Sequence, residues 1–371
     1  MLKGKATLEA TKGFALKQKN LSGDFYLLTD EYCISSLGFG SYVGEPYKEE
    51  NYHFGYFESI MTAVRSGSNL IDTAINYRYQ QSEREIGEAL RELIGAGYCK
   101  REELVICSKG GFLPLNYPFP ENPYEWIKTN IIDTKLADEK NIALDQHCMT
   151  PKYMEWSLNK SLENIGLESI DVYYLHNPET QLGFVERDVF YDNMAEIFAF
   201  FEEARRFGKI GYYGVAVWNG FLYEPENMEY ISLDKLSKIA KIVGGEQNGF
   251  KFVQMPYNLG KPYAYSYQNQ EVDGLFYTPI QAARKLGINV ITSSSLLQMN
   301  LFKRPFSDSF RSLIGLEYAS DIHRALQFAR SAPGVSASLV GTSSTEHVMH
   351  NMEIAKFSRT SKANYEHIFK I

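Results

Sequence analysis

The chain has 371 residues, of which 22% are charged and 44% hydrophobic, with a formal net charge of −7. This balance is typical of a globular protein and excludes disordered and collagen-like chains. An acidic chain with no Lys/Arg run longer than a pair disfavours nucleic acid or an anionic membrane as a partner. Its four cysteines form no CxxC pair, and no apolar run reaches about 18 residues. We therefore expect a cytoplasmic protein without disulfides or a membrane span.

Short β-branched runs alternate with helical patterns from residue 33 onward, which predicts βαβ units and a parallel sheet. The eight predicted strands span residues 33–37, 69–72, 104–108, 171–176, 212–217, 252–254, 289–293 and 337–340. Between and after them, helical spacing of apolar residues predicts helices at 56–65, 83–93, 151–165, 194–207, 233–243, 279–285, 321–330 and 345–355.

Eight strands and eight helices favour a (β/α)8 TIM barrel with long βα loops at its C-terminal face. A doubly wound open sheet is the alternative fold, although no GxGxxG motif begins any of the helices. Because no linker divides the chain, we expect one domain over 1–371, with an N-terminal extension at about 1–28 and an inserted loop at about 110–149. Aromatic residues at 112–126 of that loop either border the pocket or simply pack the insert.

Polar residues stand at the ends of four predicted strands. Asp72, Lys109 and His176 end strands two, three and four, and Gln254 ends strand six. Neighbouring parallel strands lie about 4.8 Å apart, so these side chains are expected to converge on one pocket. Tyr77 follows Asp72 by five residues, on the loop that leaves the second strand.

An acid, a lysine and a tyrosine held together suggest a tuned phenol. We expect the Lys109 ammonium to lower the pKa of Tyr77, which would then act as a general acid toward a carbonyl oxygen. His176 would orient that oxygen. A polar residue at the end of a strand often only caps a helix. The catalytic prediction therefore depends on the occurrence of these residues together on three successive strands, and not on any one of them. No HxH or HExxH pattern occurs, so no metal site is predicted.

Five segments of the chain carry a family resemblance: IDTAINYRYQQSEREIGEAL at 71–90, which contains a D-T-A-x-x-Y pattern, followed in order by VICSKG, DVYYLHNPE, VQMPYNL and VGTSSTEHVMHN. These segments resemble the sequence blocks of the aldo-keto reductase family in the same order. The resemblance implies a catalytic tetrad of Asp72, Tyr77, Lys109 and His176, with Tyr77 as the proton donor. It also implies that Gln254 binds the nicotinamide carboxamide.

The resemblance implies further cofactor contacts toward the end of the chain. The turn that holds the adenosine phosphate matches Gly341, Thr342, Ser343 and Ser344, and the adenine-binding asparagine matches Asn351. The sequence departs from the family pattern in three places. Ala216 and Val217 replace a Ser-Asn pair, and Asn219 is the substitute ligand for the carboxamide. Ser293 stands where the family has an aromatic residue that stacks on nicotinamide, and His347 stands where it has an arginine that binds the 2′-phosphate.

The resemblance implies an NAD(P)H-dependent oxidoreductase, a carbonyl reductase or alcohol dehydrogenase acting on a small aldehyde, ketone or alcohol. On the same resemblance NADP(H) is the expected cofactor and NAD(H) the alternative. Two other functions remain open: a non-catalytic regulatory barrel that binds the cofactor, and a redox-neutral enzyme that retains it. The sequence does not determine the substrate or the oligomeric state.

Overall fold

Eight parallel strands close into a barrel in the computed structural model, which describes residues 1–42, 55–315 and 317–369. In spatial order the barrel strands are β3 (Leu37–Gly40), β4 (Leu70–Asp72), β5 (Val105–Gly110), β6 (Ile170–His176), β7 (Ile210–Ala216), β8 (Phe250–Pro256), β11 (Asn289–Ser293) and β12 (Val335–Val340). Two short hairpins lie outside it, formed by β1 (Tyr26–Leu28) with β2 (Cys33–Ser35) and by β9 (Gln270–Val272) with β10 (Leu275–Tyr277). The predicted barrel is confirmed, and the open sheet is excluded.

The helices that surround the barrel follow its strands. They are α2 (Phe57–Arg65), α3 (Gln81–Gly95), α5 (Pro151–Ile165), α6 (Arg187–Arg206), α7 (Leu233–Gly244), α9 (Pro279–Lys285), α11 (Asp321–Ser331) and α12 (Thr345–Met352). The remaining helices are α1 (Leu8–Lys17), α4 (Pro123–Ile127), α8 (Tyr263–Ser266), α10 (Asp308–Ile314) and α13 (Lys362–Ile368). Each predicted helix is present; α6 begins at Arg187 rather than at 194, and the other ends agree with the prediction within three residues.

The core divides into two layers, as a barrel requires. One cluster fills the barrel interior with side chains such as Leu70, Val105 and Val172. The larger cluster lies between the strands and the helices, where Met154, Leu158 and Ile165 of α5 are buried as their spacing predicts. Because strands are covered on both sides, every residue of β4, β5 and β6 is buried.

The first barrel strand is not where the sequence pattern placed it. The predicted run 33–37 is divided, because β2 turns back to pair antiparallel with β1, and the barrel strand begins only at Leu37. That strand contains Gly38, a residue that β propensity disfavours. A Cβ on Gly38 would lie 2.8 Å from a Leu70 methyl carbon, so close packing of β3 against β4 selects glycine here.

The N-terminal segment packs beneath the barrel, at the end opposite the carboxyl ends of the strands. The buried Asp171 carboxylate, near the start of β6, accepts hydrogen bonds from the backbone N–H of Ala6 (2.6 Å) and Ile106 (2.7 Å) and from Arg101 Nη2 (2.8 Å). These contacts tie the predicted extension to the barrel floor. That the whole chain is one domain stays a prediction.

The predicted insert leaves β5 and returns to α5 through a narrow neck. At the neck, Leu113 N–H donates to Gln146 O (2.7 Å) and Cys148 N–H donates to Gly111 O (2.8 Å). Between these bonds lie α4, a π-helical turn at 128–132 and a 3-10 turn at 139–141. All four cysteines are buried and unbridged, and no helix in the described ranges is long and apolar enough to cross a membrane.

Candidate active site

Lys109 lies at the centre of a hydrogen-bond network at the carboxyl ends of β4 and β5, and its own side chain is fully buried. Its Nζ donates to Asp72 Oδ2 at 2.5 Å and to the carbonyl oxygen of Thr73 at 2.8 Å, and lies 3.5 Å from Tyr77 Oη. The Lys109 side chain has 0% exposure. An ammonium has three protons, and these three oxygens are positioned to accept them. One of the three therefore points at the Tyr77 hydroxyl.

Burial and charge act in opposite directions on the Asp72–Lys109 pair. Burial raises the pKa of Asp72, while the neighbouring ammonium and the Gln254 amide oppose that rise. For Lys109, burial acts to lower the pKa, but Asp72 and Tyr77 outweigh it and the pKa lies above its ordinary value. Lys109 therefore stays protonated at neutral pH, and it keeps a proton directed at the phenol.

Tyr77 reaches this network because the chain turns sharply after β4. Ile75 N–H donates to Lys109 O (3.2 Å), and Tyr77 N–H donates to Ala74 O (3.1 Å), which folds the loop back over the strand ends. The next three residues have positive φ angles, which L-residues rarely adopt: Arg78, Tyr79 and Gln80. This backbone returns the chain to α3 and leaves the Tyr77 ring above the barrel mouth.

His176, the last residue of β6, faces the Tyr77 ring edge-on, with ring centroids 5.7 Å apart. Burial, followed by the charge of Lys109, lowers the pKa of His176 well below its ordinary value, so the imidazole is neutral. A neutral imidazole can donate one hydrogen bond without adding a second positive charge beside Lys109.

The expectation that the pKa of Tyr77 falls is wrong for the protein alone. Burial raises the pKa of Tyr77, and the opposing effect of the Lys109 ammonium does not overcome it. Sequence spacing predicted the ammonium but could not predict how far the phenol would be removed from solvent. The phenol is therefore fully protonated at neutral pH, which is the form that a proton donor needs.

Gln254 completes the network from β8. Its Nε2 donates to Asp72 Oδ1 at 2.9 Å, so both carboxylate oxygens of Asp72 have partners. The side-chain amide of Gln254 has one more hydrogen on Nε2 and its carbonyl oxygen with which to bind a ligand. Thus the four predicted tetrad residues and Gln254 lie together at the mouth of the barrel.

Asn219 and Ser293 lie at the same end of the barrel but outside this network. Ser293 ends β11 and is half-buried, and Asn219 lies three residues beyond β7 with its amide donating to Tyr223 Oη at 3.2 Å. The loop at Asn219 is organised by Glu179, which the sequence analysis missed. One carboxylate oxygen of Glu179 accepts from the backbone N–H groups of Trp218, Asn219 and Gly220 at 2.6, 3.1 and 3.4 Å.

The predicted adenosine-phosphate turn connects β12 to α12. Gly341 must lack a side chain, since a Cβ would lie 2.2 Å from the carbonyl oxygen of Gly40. Thr342 Oγ1 accepts from Ser344 N–H (3.1 Å), and Ser344 Oγ caps α12 by accepting from His347 N–H (3.3 Å). Ser343 is half-buried between them.

The two later positions on α12 differ in exposure. His347 is exposed, with Nδ1 3.5 Å from Thr342 Oγ1. Asn351, one turn on, is 5% exposed, and its amide has no hydrogen-bond partner among the residues that the structure describes.

A group of three potential metal ligands lies away from this site: His323 on α11, His350 on α12 and Glu353. The two imidazoles are stacked with centroids 4.2 Å apart, and His323 Nε2 is 2.6 Å from the His350 carbonyl oxygen. His350 Nε2 lies 3.0 Å from Ser320 Oγ, so each ring already has a hydrogen-bond partner within the protein. That the protein binds no metal stays a prediction.

With this geometry established, comparison with known proteins identifies the family. The family model described as "Aldo/keto reductase family" matches residues 36–309. The chain belongs to the aldo/keto reductase family. The resemblance stated from the sequence is therefore confirmed. The match ends before β12, so Gly341–Ser344, His347 and Asn351 lie outside the matched residues.

Individual relatives of this aldo-keto reductase are distant. It is 26% identical over 194 residues to an NADH-specific methylglyoxal reductase of Escherichia coli, covering 51% of this chain and 50% of the relative. It is 28% identical over 151 residues to aldo-keto reductase family 1 member C13 of Mus musculus, covering 41% and 34%. The chain thus spans half or less of the length of these curated relatives.

Solved structures show the same fold at low identity. The holo form of an aldo-keto reductase from Bacillus halodurans superposes with a TM-score of 0.59 at 18% identity, covering 92% of this chain and 93% of that one. A glycerol dehydrogenase from Gluconobacter oxydans gives a TM-score of 0.60 at 16% identity, covering 94% and 95%.

The Phe112 ring brings the insert against the tetrad. It meets His176 edge-on at 5.0 Å, whereas Tyr117 and Tyr124 are 44% and 53% exposed. The predicted aromatic border of the pocket is therefore present at Phe112. His147, at the other end of the insert, also contacts His176, and no sequence pattern pointed to it.

Proposed function

We propose that this protein is an NAD(P)H-dependent carbonyl reductase or alcohol dehydrogenase in which Tyr77 donates the proton. The observation that carries the proposal is the triple hydrogen bonding of the buried Lys109 ammonium, to Asp72, to Thr73 O and to the Tyr77 hydroxyl. Such a phenol is held protonated by burial, and its anion would be stabilised by the ammonium after it releases a proton. That is the property required of a general acid which must also regain its proton.

In the reducing direction, a carbonyl oxygen would lie between Tyr77 Oη and the His176 ring. The nicotinamide, when bound, supplies the hydride that adds to the carbonyl carbon. The oxygen then takes the Tyr77 proton, so the C=O π bond becomes a C–H and an O–H bond. The neutral His176 donates a hydrogen bond to the oxygen as its negative charge develops, and Lys109 stabilises the phenolate that remains.

The chain offers groups that fit a nicotinamide dinucleotide. Gln254 keeps its side-chain carbonyl oxygen and one amide hydrogen for the carboxamide, with Asn219 and Ser293 at the same barrel end. For the adenosine part of the dinucleotide, the Gly341–Ser344 turn would hold a phosphate near the N-terminus of α12, and Asn351 on the same helix would bind adenine.

The choice of dinucleotide follows the sequence expectation. We propose NADP(H), with NAD(H) as the alternative. His347 is exposed on the first turn of α12, adjacent to Glu346, and offers a 2′-phosphate less than a permanently charged, bidentate arginine would. We therefore expect only weak discrimination between the two cofactors.

The proposed partners are a small carbonyl compound or alcohol and no macromolecule, and the proposed compartment is the cytoplasm, which the unbridged cysteines support. A panel of aldehydes and ketones, assayed for oxidation of NADPH and NADH, tests the function. The proposal is supported if the native chain oxidises the cofactor and the Lys109→Met variant does not. Cofactor binding without turnover would favour a regulatory barrel, and substrate conversion without net cofactor oxidation would favour redox-neutral chemistry.

A further inference from the structure

His147, at the end of the insert, is joined to the proposed catalytic histidine by a direct hydrogen bond. Its Nε2 lies 2.7 Å from the carbonyl oxygen of His176, and its side chain is completely buried. Its other ring nitrogen, Nδ1, lies 3.0 Å from Gln181 Nε2, which also donates to the His147 carbonyl oxygen at 2.9 Å. Gln181 belongs to the 3-10 turn Pro178–Gln181 that follows β6.

These contacts allow one tautomer only. A carbonyl oxygen can only accept, so His147 Nε2 must carry the proton that it donates to His176 O. Gln181 Nε2 must donate both hydrogens, one to His147 O and one to Nδ1, so Nδ1 must be unprotonated. Burial lowers the pKa of His147 to about 4, which keeps the ring neutral at physiological pH.

Gly111 and Phe112, which lie opposite His147 at the neck of the insert, fill the space around this hydrogen bond. Gly111 has a φ of +136°, and a Cβ there would lie 2.8 Å from His147 Nε2 and 3.0 Å from His176 O. The Phe112 ring meets both imidazoles edge-on, with centroids 5.2 Å from His147 and 5.0 Å from His176. His176 therefore has Tyr77 on one side of its ring and Phe112 on another.

We propose that His147 is a positioning residue, through which the inserted loop fixes the backbone and ring of His176 at the end of β6. The peptide plane of His176 determines where its side chain leaves the strand, and the next residue, Asn177, turns the chain with a φ of +45°. Without the His147 bond, a buried carbonyl at this turn loses its only side-chain partner in the described structure. Its peptide plane is then held only from the other side, where the Asn177 N–H donates to Ala216 O at 2.6 Å. The catalytic part of this inference rests on the proposed function.

The test compares three variants with the native protein. His147→Leu removes the donor with little change in bulk, and His147→Gln restores an N–H that can reach the carbonyl. Ile131→Ala, as a matched control, removes buried apolar surface from the same insert but none of the His147 hydrogen bonds. We expect His147→Leu to lower kcat roughly 10- to 100-fold with KM and cofactor affinity nearly unchanged, and His147→Gln to recover most of the loss. Ile131→Ala should lower stability and leave kcat near the native value.

A second readout does not depend on turnover. In NMR of protein labelled with heavy nitrogen at histidine, the native His147 should show the tautomer with the proton on Nε2 and no titration near pH 6.5. His147→Leu should shift the ring signals of His176, whereas Ile131→Ala should not. A proton on Nδ1, unshifted His176 signals or an unchanged kcat in a folded His147→Leu would overturn the inference. If the protein shows no turnover at all, the proposed function fails, and the NMR result still decides the positioning role.

Discussion

The buried neutral His147 makes a specific prediction about acid stability. Its pKa falls from 6.5 to about 4 on folding because burial disfavours the charged ring. Below pH 6.5 the unfolded chain therefore binds a proton that the folded protein cannot accept, and stability falls. Above pH 6.5 the ring is neutral in both states and makes no pH-dependent contribution.

The size of this effect follows from the two pKa values. The loss of stability from His147 is about 2 kcal/mol at pH 5 and approaches about 3 kcal/mol below pH 4, since each pKa unit corresponds to about 1.4 kcal/mol. The pKa values of other buried carboxyl groups, including Asp72 and Glu179, are raised by burial, so these groups also contribute to the pH dependence of stability. The quantity to measure is therefore the difference between the native protein and His147→Gln, which lacks the ring but keeps those groups.

Urea unfolding followed by circular dichroism at pH 7.5 and pH 5 gives this difference. We expect His147→Gln to be less stable than the native protein at pH 7.5 and to close the gap by about 2 kcal/mol at pH 5. A gap that stays constant between the two pH values would show that His147 is protonated equally in both states, and would refute the buried neutral ring.

Three further predictions concern the network, the phosphate turn and the cofactor. Asp72→Asn leaves the buried Lys109 ammonium without its counter-charge and should lower the free energy of unfolding by about 3–5 kcal/mol. The double variant Asp72→Asn/Lys109→Met should recover part of that loss, and a double variant no more stable than the single would contradict the ion pair. Gly341→Ala should lower the free energy of unfolding, measured in urea, by about 1–3 kcal/mol and weaken dinucleotide binding, because the new Cβ meets Gly40 O. The control Gly13→Ala, in open space on α1, should be neutral or stabilising, and equal effects of the two substitutions would refute the close approach at Gly341. His347→Arg should tighten NADPH selectively in a fluorescence titration, and an equal change for NADH would mean that this side chain does not face the phosphate.

The sequence predicted the barrel and the network because both depend on local patterns. Buried parallel strands appear as short apolar runs, and in a barrel the polar residue that ends such a run lies at the mouth. Asp72, Lys109, His176 and Gln254 could therefore be placed near one another from their strands alone. The first strand was misplaced because the apolar run at 33–40 contains two strands, and only pairing with Tyr26–Leu28 and Leu70–Asp72 separates them.

The rest could not be predicted because it depends on contacts between distant segments. The partners of His147 lie 29 and 34 residues away, and a lone histidine in a long loop carries no pattern. Glu179 likewise contacts backbone groups about 40 residues later, at Trp218 to Gly220. The direction of the Tyr77 pKa depends on burial, which charge spacing in a sequence does not reveal.

The central claim is that Tyr77 donates the proton, and single-turnover reduction of a reactive aldehyde by Tyr77→Phe tests it most directly. The ring remains and only the hydroxyl is lost, so cofactor affinity, titrated on the same sample, should stay within about twofold of native while the chemical step slows by about 10² to 10⁴. Lys109→Met should slow it comparably, and the double variant should be hardly slower than either, because the two side chains act as one unit. A folded Tyr77→Phe that reduces the aldehyde at nearly the native rate would contradict the account.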